Sequence, residues 1–200
     1  APDSRLTHNA GEKNYSHLIL LAKNQTGYRN LLELTTKAHL EGHYYRPRID
    51  KELLQQHHQG LVALTACIAG EVPQLILQGR LDEARREALW YKETFDDFYL
   101  EIQRHPIPEL EKINQGLILL NSELGIPMVA TNDAHYINQE DALTHDILLR
   151  IGTNSTVGDG KRMKMAGPFF YIKSPQEMME LYQDIPEAVE NTRRIAEMCN

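Results

Sequence analysis

The feature that most constrains this chain is the spacing of four short apolar runs. They are Tyr15–Ala22 (YSHLILLA), Leu61–Cys67 (LVALTAC), Phe98–Gln103 (FYLEIQ) and Pro127–Asn132 (PMVATN). Each is too short to be a core helix, and each is followed by a segment of helical period. Runs of this kind are strands buried on both faces. Strands alternating with helices predict an α/β fold with a parallel sheet and crossover helices.

The helical segments carry their own start and stop signals. Leu31, Leu32, Leu34 and Ala38 fall at helical spacing between Gly27 and Glu41, with Gly42 as a stop. Asp50 is placed to cap a helix running to about His58. Helices are expected near Val72–Leu77 and Leu81–Phe95. Leu110, Ile113, Leu117, Leu120 and Leu124 repeat at +3 and +4, the strongest helical signal in the chain, and Gly125 ends it. Gln139–Ile151 predicts another helix. Residues 153–168 read as a loop, and Phe169–Lys173 as a short fifth strand. Ser174-Pro175-Gln176-Glu177 is a capping-box pattern opening a helix to about Gln183. A last helix is expected over Glu187–Cys199. The loop at 153 is the best boundary, dividing residues 1–152 from 153–200.

Composition narrows the function classes. The formal net charge over 200 residues is −7, so any contact with nucleic acid must come from a local patch or a bound metal. No apolar run is long enough to span a bilayer. Two cysteines are too few for a disulfide framework and point to a reducing compartment such as the cytoplasm. There is no glycine-rich phosphate loop, no nucleophile elbow and no CxxC pair.

The polar residues collect where parallel α/β folds bind ligands, at the carboxyl ends of strands. Cys67 closes the second strand, Glu101, Gln103 and His105 run off the third, and Asp133 and His135 close the fourth. In an extended segment Asp133 and His135 project to one face. A carboxylate beside an imidazole suits Mn, Fe or Zn, although the same pair also serves as a helix cap. His17 inside the first run is either a hydrogen-bonded core histidine or a ligand. Cys67 is either an inert buried thiol or a ligand. Of the other histidines, His39, His43, His57 and His58 read as solvated, His145 as packing or capping, and His8 carries no signal.

Taken together, Tyr15–Asn24, Gly27–Leu34, Leu61–Glu71, Phe98–Gln103, Pro127–Tyr136 and Ile185–Asn200 resemble, in order and over nearly the whole chain, the PHP (polymerase and histidinol phosphatase) domain found in bacterial replicative polymerases of the polymerase III alpha-subunit family. The resemblance implies a distorted (β/α)7 barrel with a divalent metal cluster in its mouth, followed from about residue 153 by a helical connector toward a polymerase palm. It implies that His17, Cys67, Asp133 and His135 are metal ligands; by position alone, Glu101, Arg104 and His105 are mouth residues, with Arg104 placed to hold phosphate. In metal-competent members nine side chains hold the ions. The HxH motif, the aspartate or histidine pair and the Gly-Cys-Glu-like motif that supply the others have no match here, so the chain is expected to be an incomplete barrel lacking about the first third of the domain. The implied activity is metal-dependent 3′–5′ exonuclease proofreading, or a structural role, within a DNA-directed DNA polymerase. Its partners would be DNA and the other holoenzyme subunits. The alternative is a stand-alone phosphoesterase of the same superfamily acting on a small phosphate.

Overall fold

The computed structural model describes residues 4–6, 15–156 and 163–199. His8 and the centre of the expected 153–168 loop lie outside the described residues. The sheet has four strands in sequence order: β1 (Ile19–Ala22), β2 (Leu61–Leu64), β3 (Asp97–Gln103) and β4 (Met128–Thr131). Between them run α1 (Gln25–Leu40), α2 (Lys51–Gln56), α3 (Glu71–Leu77), α4 (Leu81–Thr94) and α5 (Pro108–Leu124). A 3-10 turn at Gln139–Asp141, α6 (Ala142–Gly152), α7 (Pro175–Leu181) and α8 (Pro186–Met198) follow. Among the described residues, no helix is long and apolar enough to cross a membrane.

The helices begin and end where their local chemistry directs. Asn24 Oδ1 accepts from the amides of Thr26 and Gly27, both at 3.0 Å, and satisfies two free donors of α1. Asp50 does the same for α2 through Leu53 N at 3.0 Å. Pro108 opens α5, and Gly125, at φ 61°, closes it in the left-handed region. The full capping box forms at Ser174 and Glu177.

The sheet is not wholly parallel. β2–β3 and β3–β4 are parallel, but β1 pairs antiparallel with β2, Ile19 opposite Leu64 and Ala22 opposite Leu61. The reason lies in the connection. The α1–α2 excursion returns the chain to the end of the sheet it left, where Lys23 N donates to Gly60 O at 2.9 Å. β2 must therefore run back along β1. The first apolar run also yields a shorter strand than expected. His17 lies outside β1 and forms an isolated bridge to Gly70. β1 is half-buried along its length rather than buried on both faces, because it is the edge of the described sheet. The expected fifth strand is a single bridge between Tyr136 and Tyr171.

Alternation along the strands divides the core into two faces. Ala63, Phe98, Leu100, Ile102, Met128 and Ala130 belong to the larger cluster, with residues of α3, α4 and α5. Val62, Leu64, Tyr99 and Val129 form the smaller one with Ile195 of α8. On that second face the strands change character toward their carboxyl ends. Tyr99 is followed by Glu101 and Gln103 at the two-residue period, and Val129 by Thr131. An apolar floor thus gives way to polar side chains at one rim of the sheet.

Candidate metal centre

The antiparallel β1 decides which residues meet at this rim. Its amino end lies beside the carboxyl ends of β2, β3 and β4, so His17, just before β1, faces Cys67, just after β2. Cys67 Sγ lies 3.5 Å from His17 Nδ1. His17 N donates to Ala69 O at 3.0 Å, and Gly70 N donates to Cys67 O at 2.8 Å, closing the turn that presents the thiol. Ala66, at φ 61°, holds the left-handed conformation that aims Cys67 out of the strand. Such a conformation costs a non-glycine residue about 1–2 kcal/mol, and the surrounding hydrogen bonds must hold it.

Glu101 supplies the floor. It is 3% exposed. Thr131 Oγ1 donates to its Oε1 at 2.6 Å, and Gln103 Nε2 donates to the same oxygen at 3.0 Å. Its amide donates to Thr65 Oγ1 at 2.8 Å, tying β3 to the exit of β2. Its Oε2 is buried without a hydrogen-bond partner among the described residues. Burial pushes the Glu101 carboxyl above its ordinary value, only partly offset by the Thr131 and Gln103 hydrogen bonds and, least, by the Ala66 backbone amide, and the Asp133 charge pushes the same way as burial. The Cys67 thiol is also raised, first by burial and then by the charges of Asp133 and Glu101.

Asp133 sits at φ 47°. The segment after β4 is therefore not extended, and the period-two projection expected for Asp133 and His135 does not hold. Asp133 lines a cavity of about 820 Å³ together with His17, Cys67, Glu101 and Gln103. His135 turns toward a neighbouring wall, its ring 5.7 Å from Phe170 and 5.5 Å from His145. His135 Nδ1 donates to Asp133 O at 2.6 Å, a bond that places a proton on Nδ1 and leaves Nε2 as the ring nitrogen available to an ion. His145, read from sequence as packing or capping, stands edge-on to His135. Its place on α6 carries no signal of that.

The remaining mouth residues take other positions. Arg104 spends its fork on Asp184, at 2.6 and 2.7 Å, and on Leu181 O at 2.7 Å, with its guanidinium 4.9 Å over the Tyr182 ring. It anchors the α7–α8 turn and is not among the cavity's lining residues. His105 is buried against Phe170, ring centroids 4.4 Å apart. Burial, and then the charge of Lys173, hold its pKa below the ordinary value.

As placed, no three His, Cys, Asp or Glu side chains among the described residues converge on one point where an ion would sit. The donor chemistry nevertheless fits a divalent ion. Two ligands of one tetrahedral ion, an imidazole nitrogen and a thiolate, lie roughly 3.6 Å apart by ordinary bond lengths, close to the His17–Cys67 separation of 3.5 Å. Glu101, whose Oε2 is buried with no partner among the described residues, lines the same cavity.

A family model described as PHP domain matches residues 4–105. The chain is 52% identical over 191 residues to the DNA polymerase III subunit alpha of Borreliella burgdorferi, covering 95% of this chain and 17% of that protein. It is 49% identical over 205 residues to that of Treponema pallidum, covering 100% and 17%. It is 44% identical over 207 residues to that of Thermus aquaticus, again covering 100% and 17%. The chain thus spans about a sixth of the length of these curated relatives.

Proposed function

The chain belongs to the PHP domain family, and from that premise we propose that it is the PHP portion of a bacterial replicative DNA polymerase of the polymerase III alpha type, carrying a metal-dependent 3′–5′ exonuclease. In this reading the four-stranded sheet is part of an incomplete (β/α)7 barrel. Residues 1–152 form the barrel portion, and 153–200 form the connector toward the palm. The observation that carries the reading is the meeting of His17, Cys67, Glu101 and Asp133 around one cavity, in a chain about half identical to named alpha subunits.

PHP domains are generally metal-dependent. Here His17, Cys67, Asp133 and His135 would hold divalent ions of zinc, manganese or iron. Such ions, when bound, activate water and clamp the oxygens of a phosphodiester. The chain's own residues do the rest. The 65–70 turn fixes the thiol beside His17. The Asp133 carbonyl orients the His135 ring. Arg46, exposed and lining the same cavity, supplies a cation for a phosphate oxygen. With a net charge of −7, the chain meets the 3′ end of DNA through metal and this local patch, not through a basic surface. DNA and the other holoenzyme subunits are its partners, in the cytoplasm.

The test uses the full-length parent protein. Asp133→Ala is expected to lose bound divalent metal and 3′-end degradation while primer extension continues. Wild-type protein that takes up no divalent ion, or an Asp133→Ala protein that trims 3′ ends at the wild-type rate, overturns the reading.

A further inference from the structure

The cavity contains a carboxylate that the expected ligand set leaves out. We propose that Glu101 is itself a metal-binding side chain of this site, presenting Oε2 to a divalent cation held with Cys67 and Asp133.

Three observations carry this. The first is asymmetry. Oε1 accepts from Thr131 and Gln103, while Oε2, equally buried, has no partner among the described residues. A buried acceptor left unsatisfied costs about 1–3 kcal/mol, and more when it is charged. Burying the acid here therefore makes sense only if something binds that oxygen.

The second is direction. Thr131 and Gln103 hold the carboxylate through Oε1, and the Thr65 hydroxyl, which accepts the Glu101 amide, holds its backbone, so that three strand ends fix this residue. Glu101 lines the cavity shared by Cys67 and Asp133. Ligands held by neighbours in this way are pre-oriented for an ion.

The third is charge. The Cys67 thiol and the carboxyl groups of Asp133 and Glu101, three groups that become anions on losing a proton, line one cavity. Like charges at such a site are stable as anions only around a cation. Arg48, which also lines the cavity, directs its guanidinium nitrogens to the carbonyls of Gly42 and Arg5. A divalent ion is the counter-charge that satisfies the cavity and Oε2 together.

The inference rests on the metal-dependent reading above, and its test keeps the two apart. Full-length wild-type, Glu101→Gln, Glu101→Asp and Cys67→Ser proteins are stripped with chelator and titrated with Co(II). The Cys67 thiolate charge-transfer band, defined by its loss in Cys67→Ser, reports the ion at this site without any assay of activity. Glu101→Gln keeps the size of the side chain and the acceptor for Thr131, but replaces the cation-facing oxygen by an amide. Glu101→Asp keeps the charge and withdraws it by a methylene. Each is expected to weaken Co(II) binding by about 10–100-fold, and in Glu101→Gln, which keeps the Oε1 hydrogen bonds, the melting temperature of the stripped protein is unchanged. Wild-type affinity in either variant that folds overturns the assignment of Glu101 and leaves the metal site standing. A wild-type protein that shows no Cys67-dependent band overturns both.

Discussion

Cys67 Sγ and His17 Nδ1, fifty positions apart in the chain, lie 3.5 Å from each other at one rim of the sheet. Neither residue reaches this point alone. Antiparallel pairing of β1 brings the amino end of that strand to the carboxyl end of β2. The left-handed Ala66 then turns Cys67 out toward it. The bridge from His17 to Gly70 locks the two segments together.

If this pair holds one ion, removing either member should remove most of what both supply. Residues acting on a shared partner are strongly non-additive. His17→Ala and Cys67→Ser are each expected to lower metal stoichiometry in the full-length protein, and the double variant is expected to be little worse than the poorer single. Losses that add independently would show that the two side chains serve different ions.

The turn that presents Cys67 depends on Gly70. A β-carbon there would lie 2.0 Å from Thr65 O and 3.1 Å from Cys67 O. Both are backbone atoms that cannot swing aside, so Gly70→Ala must open the turn. The expected cost is about 1–3 kcal/mol, as for other overpacked sites, with metal affinity falling as the thiol moves away from His17. Thermal unfolding with and without metal checks this. Unchanged stability would mean that the turn is softer than its hydrogen bonds imply.

The parts of this architecture that were legible in the sequence are those encoded locally. The α5 period of Leu110, Ile113, Leu117 and Leu120, the caps at Asp50 and Ser174, and the polar residues closing each apolar run all depend on neighbours a few positions away. What was not legible depends on direction or distance. An apolar run such as LILLA reads the same in either orientation, so the antiparallel β1 was hidden. The Asp-x-His spacing places both side chains on one face only if the backbone is extended, and Asp133 is left-handed. Arg104 looked free to meet a phosphate because its partner, Asp184, is 80 residues away. Glu101 stood out as a polar residue in a strand, but its unpartnered oxygen appears only once Thr131 and Gln103 have taken the other one.

Arg104 separates a structural from a phosphate-binding role. Its guanidinium joins Asp184, Leu181 O and the Tyr182 ring, and Tyr182, fully buried, donates to Ile102 O at 3.1 Å. Because the ion pair is partly exposed, most of its Coulomb energy is screened. Arg104→Ala is therefore expected to cost only about 1–2 kcal/mol, mainly from the lost stacking and hydrogen bond. Hydrogen exchange should rise in α7 and the start of α8, with Co(II) affinity unchanged. A large rise in the KM for a DNA 3′ end at unaltered stability would restore the phosphate role.

Asp50 should set part of the acid limit of stability. It is 2% exposed, caps α2, and accepts the Arg5 amide at 2.8 Å and the Arg5 guanidinium at 3.1 Å. Burial alone would raise its pKa, but the hydrogen bonds from Arg5 and Leu53 and the Arg5 charge outweigh it and hold the carboxyl below its ordinary value of 3.8. A group whose pKa is depressed on folding stabilises the fold above its unfolded value, and that stability is lost as pH falls through the folded value. Asp50→Asn keeps a capping oxygen but loses the charge, and is expected to cost about 1.5–3 kcal/mol at neutral pH, the range for hydrogen bonds to a charged group. The gap between wild type and variant should hold down to about pH 4 and close below it, as the wild-type carboxyl takes up its proton. Urea unfolding at a series of pH values from 7 to 3 measures that gap directly. A gap that stays constant or widens on acidification would show that Asp50 acts through its shape and cap, not its charge.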